Sequence, residues 1–266
     1  MDQDLQGKVV VVTGAASGIG RAGCEVMSRS GATVVAVDIN SEAGNDVVQG
    51  IIRSGGIGLF VVCDVTDSRS VSDMVEVIER EHGRIDGLFH NAMDARLVNE
   101  QDRTVTDLAE DVWNRIISLV LTGTFHVCKY VGRAMMQTEQ GGSMVLTATV
   151  DALIATPGFD AYTAAKCGVI ALTRSLAAGL GSHHIRVNAV CPGFVETPHQ
   201  TFLADPAKRQ FFEALHLAPI AKSEDIAEFA KFLISDRSRV VTGGIFPVDS
   251  GYSAFKIGDD LMKLVR

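Results

Sequence analysis

The chain has 266 residues, 47% hydrophobic and 21% charged, with 32 acidic against 24 basic side chains and a formal net charge of −8. That length fits one large α/β unit, and an acidic balance without Lys/Arg blocks offers no electrostatic footprint for nucleic acid or an anionic membrane surface. Small molecules are therefore the expected partners.

No apolar run approaches the roughly 20 residues that a bilayer span requires. The start, Met1-Asp2-Gln3-Asp4, is acidic where a secretion signal would be basic and then apolar. Cys24, Cys63, Cys128, Cys167 and Cys191 are odd in number and never in C-x-x-C spacing. Packing thiols in a cytoplasmic protein are expected, with no disulfide framework. The histidines, including His183-His184, show no paired ligand spacing, so no metal site is expected.

In chain order, apolar and β-branched runs at 8–12, 33–37, 58–62, 85–89, 143–146, 185–190 and 245–248 read as strands. Their near-continuous hydrophobicity suits strands buried on both faces, hence a parallel sheet. Helical patterns fill the intervals at 18–30, 41–54, 68–82, 111–137, 160–181 and 223–235. Ser41 and Ser223 read as N-caps, and Gly31, Gly83 and Gly181 as left-handed C-caps. Alternating strands and helices predict a single doubly wound, Rossmann-like α/β domain over 1–266, with about seven parallel strands and helices on both faces.

Two local patterns carry chemistry. Directly after the first strand, Thr13-Gly14-Ala15-Ala16-Ser17-Gly18-Ile19-Gly20 leads into a helix. Glycines there let backbone amides and the positive helix end meet a pyrophosphate. The second strand ends at Asp38, where a carboxylate can hydrogen-bond the adenosine ribose and repel a 2′-phosphate, which favours NAD over NADP. Further on, Tyr162 and Lys166 stand four residues apart on one helix face. A cation close to a phenol favours the phenolate and makes a usable acid and base.

These residues in this order resemble the short-chain dehydrogenase/reductase family from about Gly7 to Tyr252. Thr13 to Gly20 is similar to its TGxxxGxG fingerprint, Asp64-Val65 to its adenine-contacting dipeptide, and Tyr162 to Lys166 to its YxxxK. Val187-Asn188, Pro192-Gly193 and Val241-Thr242-Gly243 match lesser signatures. The resemblance implies an NAD(H)-dependent oxidoreductase acting on a secondary alcohol or carbonyl. It implies Tyr162 as acid and base, Lys166 as its charge partner and ribose ligand, and Thr149 at the position of the usual substrate-orienting serine. Gly14, Ser17, Gly18, Ile19, Gly20, Asp38, Asp64, Val65, Asn91, Tyr162, Lys166, Val195 and Thr197 are the implied cofactor contacts.

The departures are specific. Thr149 adds a methyl to the serine position and stiffens χ1. Val120 replaces an asparagine whose family role is a water-borne proton relay. His90-Asn91-Ala92-Met93 replaces NNAG, putting a thioether where glycine would leave room; His90 reads as a structural hydrogen-bonder rather than a base. The alternative these departures motivate is a catalytically impaired NAD-binding regulatory or assembly subunit.

The resemblance implies a substrate lid at 194–222. Phe202, Leu203, Phe211, Phe212 and Leu215 there read equally as an apolar lid or as ordinary helix packing. The extension at 253–266 reads as a frayed terminus, an intersubunit contact or part of a neighbour's pocket. The patterns at 111–137 and 160–181 resemble the helices of the family's dimer interface and imply a homo-oligomer, a tetramer or dimer.

Overall fold

The structure, a computed structural model, describes residues 3–254 apart from 139, 155 and 199, with the side chains of 201 and 202 also left out. Most of the anticipated extension, together with His199 and the side chain of Phe202, thus lies outside the described residues.

Seven parallel strands form the sheet: β1 (Val9–Thr13), β2 (Thr33–Asp38), β3 (Ile57–Val62), β4 (Gly87–His90), β5 (Gly142–Thr147), β6 (Ile185–Pro192) and β7 (Ile245–Val248), in spatial order 3-2-1-4-5-6-7. Burial on both faces explains the composition. In β1, Val9 and Val11 enter one core while Val10 and Val12 enter the other, as period-two alternation requires.

On the first face lie α3 (Ser68–His82), α6 (Gly123–Gln137) and α7 (Asp160–Leu180). The second carries α1 (Gly18–Arg29), α2 (Ser41–Arg53) and α9 (Ser223–Ile234). The strand order reverses at β1 and β4, the switch point where α/β sheets open a crevice beyond the strand ends.

The expected single helix at 111–137 is interrupted. Helix α5 (Glu110–Ile117) passes into a π-helical segment, Ser118–Thr122, before α6 begins. Such a bulge inserts a residue without changing apolar content, so the sequence pattern does not show it. Gly123, just after it, is tightly placed: a Cβ would lie 2.9 Å from Val65 Cγ2 and 3.3 Å from the Val65 carbonyl oxygen. Glycine therefore lets α6 close on the Asp64-Val65 turn.

The caps also differ from expectation. Helix α2 is capped by Asn40, whose Oδ1 accepts from Ala43 N at 3.1 Å, leaving Ser41 as the first helical residue. Lys222 is the N-cap of α9, and its amide donates to the Asp225 carboxylate at 2.7 Å, so Ser223 is also one residue inside. Gly31 and Gly83 adopt positive φ as expected, but Gly181 is right-handed and the left-handed turn falls on His184. Two short helices escaped the sequence pattern, α4 (Ala95–Gln101) and α8 (Pro206–Glu213), as did a two-stranded pairing of Val195–Glu196 with Ala221–Lys222.

Candidate active site

The C-terminal ends of β1, β2, β4, β5 and β6 converge on a cleft of about 590 Å³. Each implied site residue except Gly20 lines it.

At one end, the β1–α1 turn is built from glycines with different duties. Gly14 (φ +67°) lies so close to Ala92 that a Cβ would sit 3.0 Å from its backbone, and at Gly20 a Cβ would fall 2.0 Å from the Gly14 carbonyl oxygen. Gly20 thus sets the approach of helix to turn instead of touching the cleft. No side chain caps α1 and its first turn carries no acidic residue, leaving the positive end of the helix suited to an anion. Asp38 braces this turn: Oδ2 accepts from Ala16 N at 3.0 Å and Oδ1 from Asn40 N at 2.9 Å. Asp64 likewise folds its own turn, accepting from the Thr66 amide at 2.9 Å and hydroxyl at 2.7 Å.

Below the middle of the cleft runs a buried polar chain. Thr13 Oγ1 accepts from Asn91 N at 3.1 Å and Ala92 N at 3.3 Å, and meets His90 Nδ1 at 2.8 Å. With its lone pairs so engaged, the threonine gives its proton to Nδ1, which fixes the imidazole proton on Nε2. Nε2 then donates to Thr124 Oγ1 at 3.0 Å, and that hydroxyl donates to the Val120 carbonyl at 2.6 Å. Burial, with a contribution from the Lys166 charge, pushes the His90 pKa down to about 3. His90 is a neutral structural hydrogen-bonder, as its position at a strand end led us to expect.

The far end holds Tyr162, Lys166 and Thr149. The start of α7 is held from a distance: buried Asp102, just after α4, accepts from Ala161 N at 3.2 Å and Tyr162 N at 2.9 Å. Lys166, 3% exposed, donates to the Thr147 carbonyl at 2.5 Å with Nζ 5.7 Å from the Tyr162 ring centroid. Burial lowers its pKa to about 8 against the opposing pull of Cys191.

Burial raises the Tyr162 phenol, Thr149 opposes this by hydrogen bonding to the phenolate, and Asp151 and Cys191 push it further up. With burial dominant, the phenol holds its proton. Thr149 has one proton, which can turn to a phenolate only when that forms; here Oγ1 donates to Asp151 Oδ2 at 3.0 Å and accepts from the Asp151 amide at 3.3 Å, and Thr156 Oγ1 donates to Oδ1 at 2.6 Å.

Residues 14–253 match the enoyl-(acyl carrier protein) reductase family profile. The 3-oxoacyl-[acyl-carrier-protein] reductase FabG of Thermotoga maritima is 36% identical over 247 residues, covering 93% of this chain and 98% of its own. The chain belongs to the short-chain dehydrogenase/reductase family.

A short-chain dehydrogenase/reductase from Mycobacterium ulcerans superposes with TM-score 0.89 at 28% identity over 98% of this chain and 94% of its own. Carveol dehydrogenase from Mycobacterium avium, solved in complex with NAD, superposes with TM-score 0.88 at 30% identity over 95% of this chain and 100% of its own. Membership makes this chain an oxidoreductase related to enzymes of nicotinamide cofactors and small-molecule substrates.

Against that family the departures acquire physical form. Val120 is 1% exposed, sits in the π-helical segment and packs into the core, while its carbonyl is taken by Thr124. Met93 lines the cleft and is 39% exposed, so it faces the space instead of filling it. Beyond β6, Phe194 stacks against Phe212 at 4.4 Å and Tyr252 at 5.5 Å, whereas Phe211 is exposed. The aromatic stripe is therefore divided between packing and surface. Of the residues that position the site, Asp102 and Asp151 were absent from the sequence reading. Asp102 leaves no local signal, but a carboxylate two residues after Thr149 was visible.

Proposed function

We propose that this short-chain dehydrogenase/reductase uses NAD(H) to interconvert a secondary alcohol and a carbonyl compound. One observation carries the reading: a single cleft joins an anion-suited glycine turn and a ribose-suited carboxylate at one end to Tyr162, Lys166 and Thr149 at the other. The cradle fits a dinucleotide, because at Gly14 and Gly20 any side chain would collide with backbone that shapes the turn.

In this reading Asp38 takes the adenosine ribose, Asp64 and Val65 flank the adenine, and Asn91, Val195 and Thr197 bound the nicotinamide end. When bound, the nicotinamide supplies hydride chemistry. The protein's share is alignment and proton transfer. Tyr162 gives its proton to the carbonyl oxygen in reduction and takes the hydroxyl proton in oxidation. Lys166 holds positive charge beside the developing phenolate, and Thr149 fixes the substrate oxygen. Residues 194–222, with Phe194, Phe212 and Tyr252, close the substrate side as a lid, and the chain works as a homo-oligomer. The NAD complex of carveol dehydrogenase supports the choice of dinucleotide, as does the Asp38 carboxylate, which would repel a 2′-phosphate.

The test is turnover over a panel of alcohols with Tyr162→Phe beside the unaltered protein. Turnover should vanish in the variant while NADH titrations remain nearly superimposable and NADP binds more weakly than NAD. A variant of near-normal rate would overturn the role of Tyr162. No turnover of any panel member would favour the rival reading, a dinucleotide-binding regulatory or assembly subunit, for which the buried Val120 side chain and its occupied carbonyl argue.

A further inference from the structure

The single hydroxyl proton of Thr149 is already committed. Oγ1 accepts from the Asp151 amide at 3.3 Å and lies 3.0 Å from Asp151 Oδ2, and a carboxylate oxygen can only accept, so the proton points at Asp151. Toward the cleft, which Thr149 lines together with Tyr162 and Lys166, the oxygen therefore offers a lone pair and no donor. A carbonyl oxygen has only lone pairs of its own. To donate to one, Thr149 must turn its proton away from Oδ2 and leave a partly buried carboxylate one bond short.

Asp151 has the capacity to take a replacement. A carboxylate has about four acceptor sites. The partners of this one among the described residues are two hydroxyls, Thr149 on Oδ2 and Thr156 on Oδ1 at 2.6 Å, and no cation. The Thr156 bond holds the plane of the group. Burial raises the phenols of Tyr162 and Tyr252, and the Asp151 charge adds to both. The carboxylate thus lies near both tyrosines, toward the aromatic cluster in which Tyr252 meets Phe194 at 5.5 Å and His216 at 5.2 Å.

We propose that this site selects a substrate with a hydroxyl on the carbon next to the reacting one, a vicinal diol or α-hydroxy ketone, and that Asp151 reads that hydroxyl. This rests on the alcohol–carbonyl reading above and names its substrate class. The two oxygens of such a substrate stand about one hydrogen bond apart, as do Thr149 Oγ1 and Asp151 Oδ2, so the two pairs can meet edge to edge. The adjacent hydroxyl donates to Oδ2 as the Thr149 proton turns to the reacting oxygen. The carboxylate keeps its number of donors, and the reacting oxygen gains one. A simple ketone leaves the carboxylate one bond short, and an α-keto acid brings its own negative charge against it.

Reduction by NADH of matched substrates tests this: butanone with its α-hydroxy derivative acetoin, cyclohexanone with α-hydroxycyclohexanone, and the anion α-ketobutyrate. In the unaltered protein kcat/KM should favour the hydroxy member of a pair by about 10- to 100-fold, the range of one hydrogen bond to a charged group. In Asp151→Ala the preference should shrink to within about threefold of unity, because no charged acceptor remains. The preference is a ratio within one variant, so loss of folded protein cancels from it. Asp151→Asn keeps the shape without the charge and should improve turnover of α-ketobutyrate.

Binding without turnover gives a second readout. In Tyr162→Phe loaded with NAD, vicinal cyclohexanediol should bind about tenfold or more tightly than cyclohexanol by calorimetry, and adding Asp151→Ala should abolish the difference. An unchanged preference in Asp151→Ala, or an unaltered protein that reduces simple ketones as readily as their hydroxy counterparts, would overturn the role of Asp151. Ketone turnover persists in both of those outcomes, so the alcohol–carbonyl reading survives them, whereas absence of turnover on every member would remove both.

Discussion

Thr124→Val tests the buried chain beneath the cleft with little change in shape. The substitution replaces a hydroxyl by a methyl at a residue 2% exposed. It removes the acceptor for His90 Nε2–H and the donor to the Val120 carbonyl. A buried donor left without a partner costs roughly 1–3 kcal/mol, and the lost hydroxyl bond about 1 more. The sum, about 2–4 kcal/mol, corresponds to a fall in Tm of roughly 5–12 °C for a chain of this size. Thermal and urea unfolding measure it, with Thr163→Val as a control because that buried hydroxyl has no hydrogen-bond partner among the described residues.

His90 adds a pH signature. Its native pKa is pushed down to about 3, below the ordinary value of about 6.5. The unfolded chain therefore binds the proton first, and stability is lost as pH falls from about 6.5 toward 3, by up to ~1.4 kcal/mol per unit. His90→Gln should lessen that slope. Thr124→Val within about 0.5 kcal/mol of wild type, or an unchanged acid slope in His90→Gln, would refute the hydrogen-bonded neutral imidazole.

Two glycines should respond to alanine with opposite signs. Gly20→Ala forces a Cβ onto the Gly14 carbonyl and should weaken NAD binding at least about tenfold by calorimetry, whereas Gly179→Ala meets nothing within 4 Å and should stabilise α7 by about 0.5–1 kcal/mol. Val120→Asn places an amide in apolar packing where the local carbonyl is already bonded, at a cost of roughly 1–3 kcal/mol by denaturation. Its oxidation rate should be unchanged, and a clear gain would point to a proton path on that side after all. In the proposed mechanism carbonyl reduction requires cationic Lys166, whose pKa burial lowers to about 8. The reduction rate should therefore decline as pH rises through that value, and a profile flat to about pH 10 would exclude the requirement.

What could be read from sequence was what is local. The turn from Gly14 to Gly20 announces itself because each glycine answers a constraint within a few residues, and Asp38 lies at a strand end that β-branched residues mark clearly. Tyr162 and Lys166 were legible as a pair because four residues make one helical turn. The support of Tyr162 was not: Asp102 reaches its amide across 60 residues of sequence, and no local pattern encodes a contact made by the fold. The caps of α2 and α9 were misplaced by one residue because serine suits the first turn almost as well as the cap, and Asn40 and Asp225 supply the bonds instead. The break at Ser118–Thr122 was silent for a different reason. Its residues are as apolar as those of a continuous helix, and only the register changes.

Replacing an amide by the imidazole of His90 introduces a second potential cation near Lys166, and this bears on why the chemistry can survive the change. Two buried positive charges would oppose each other, and the Lys166 charge already contributes to the low pKa of His90. The imidazole is tolerable beside a working lysine only if it never takes a second proton. The flanking threonines enforce this from both sides, since Thr13 must donate to Nδ1 once Asn91 and Ala92 occupy its lone pairs, and Thr124 accepts from Nε2. A proton added at Nδ1 would face the hydroxyl proton of Thr13 and break the bonds that hold the Asn91 loop. The chain of hydrogen bonds through His90 thus preserves the single positive charge on Lys166.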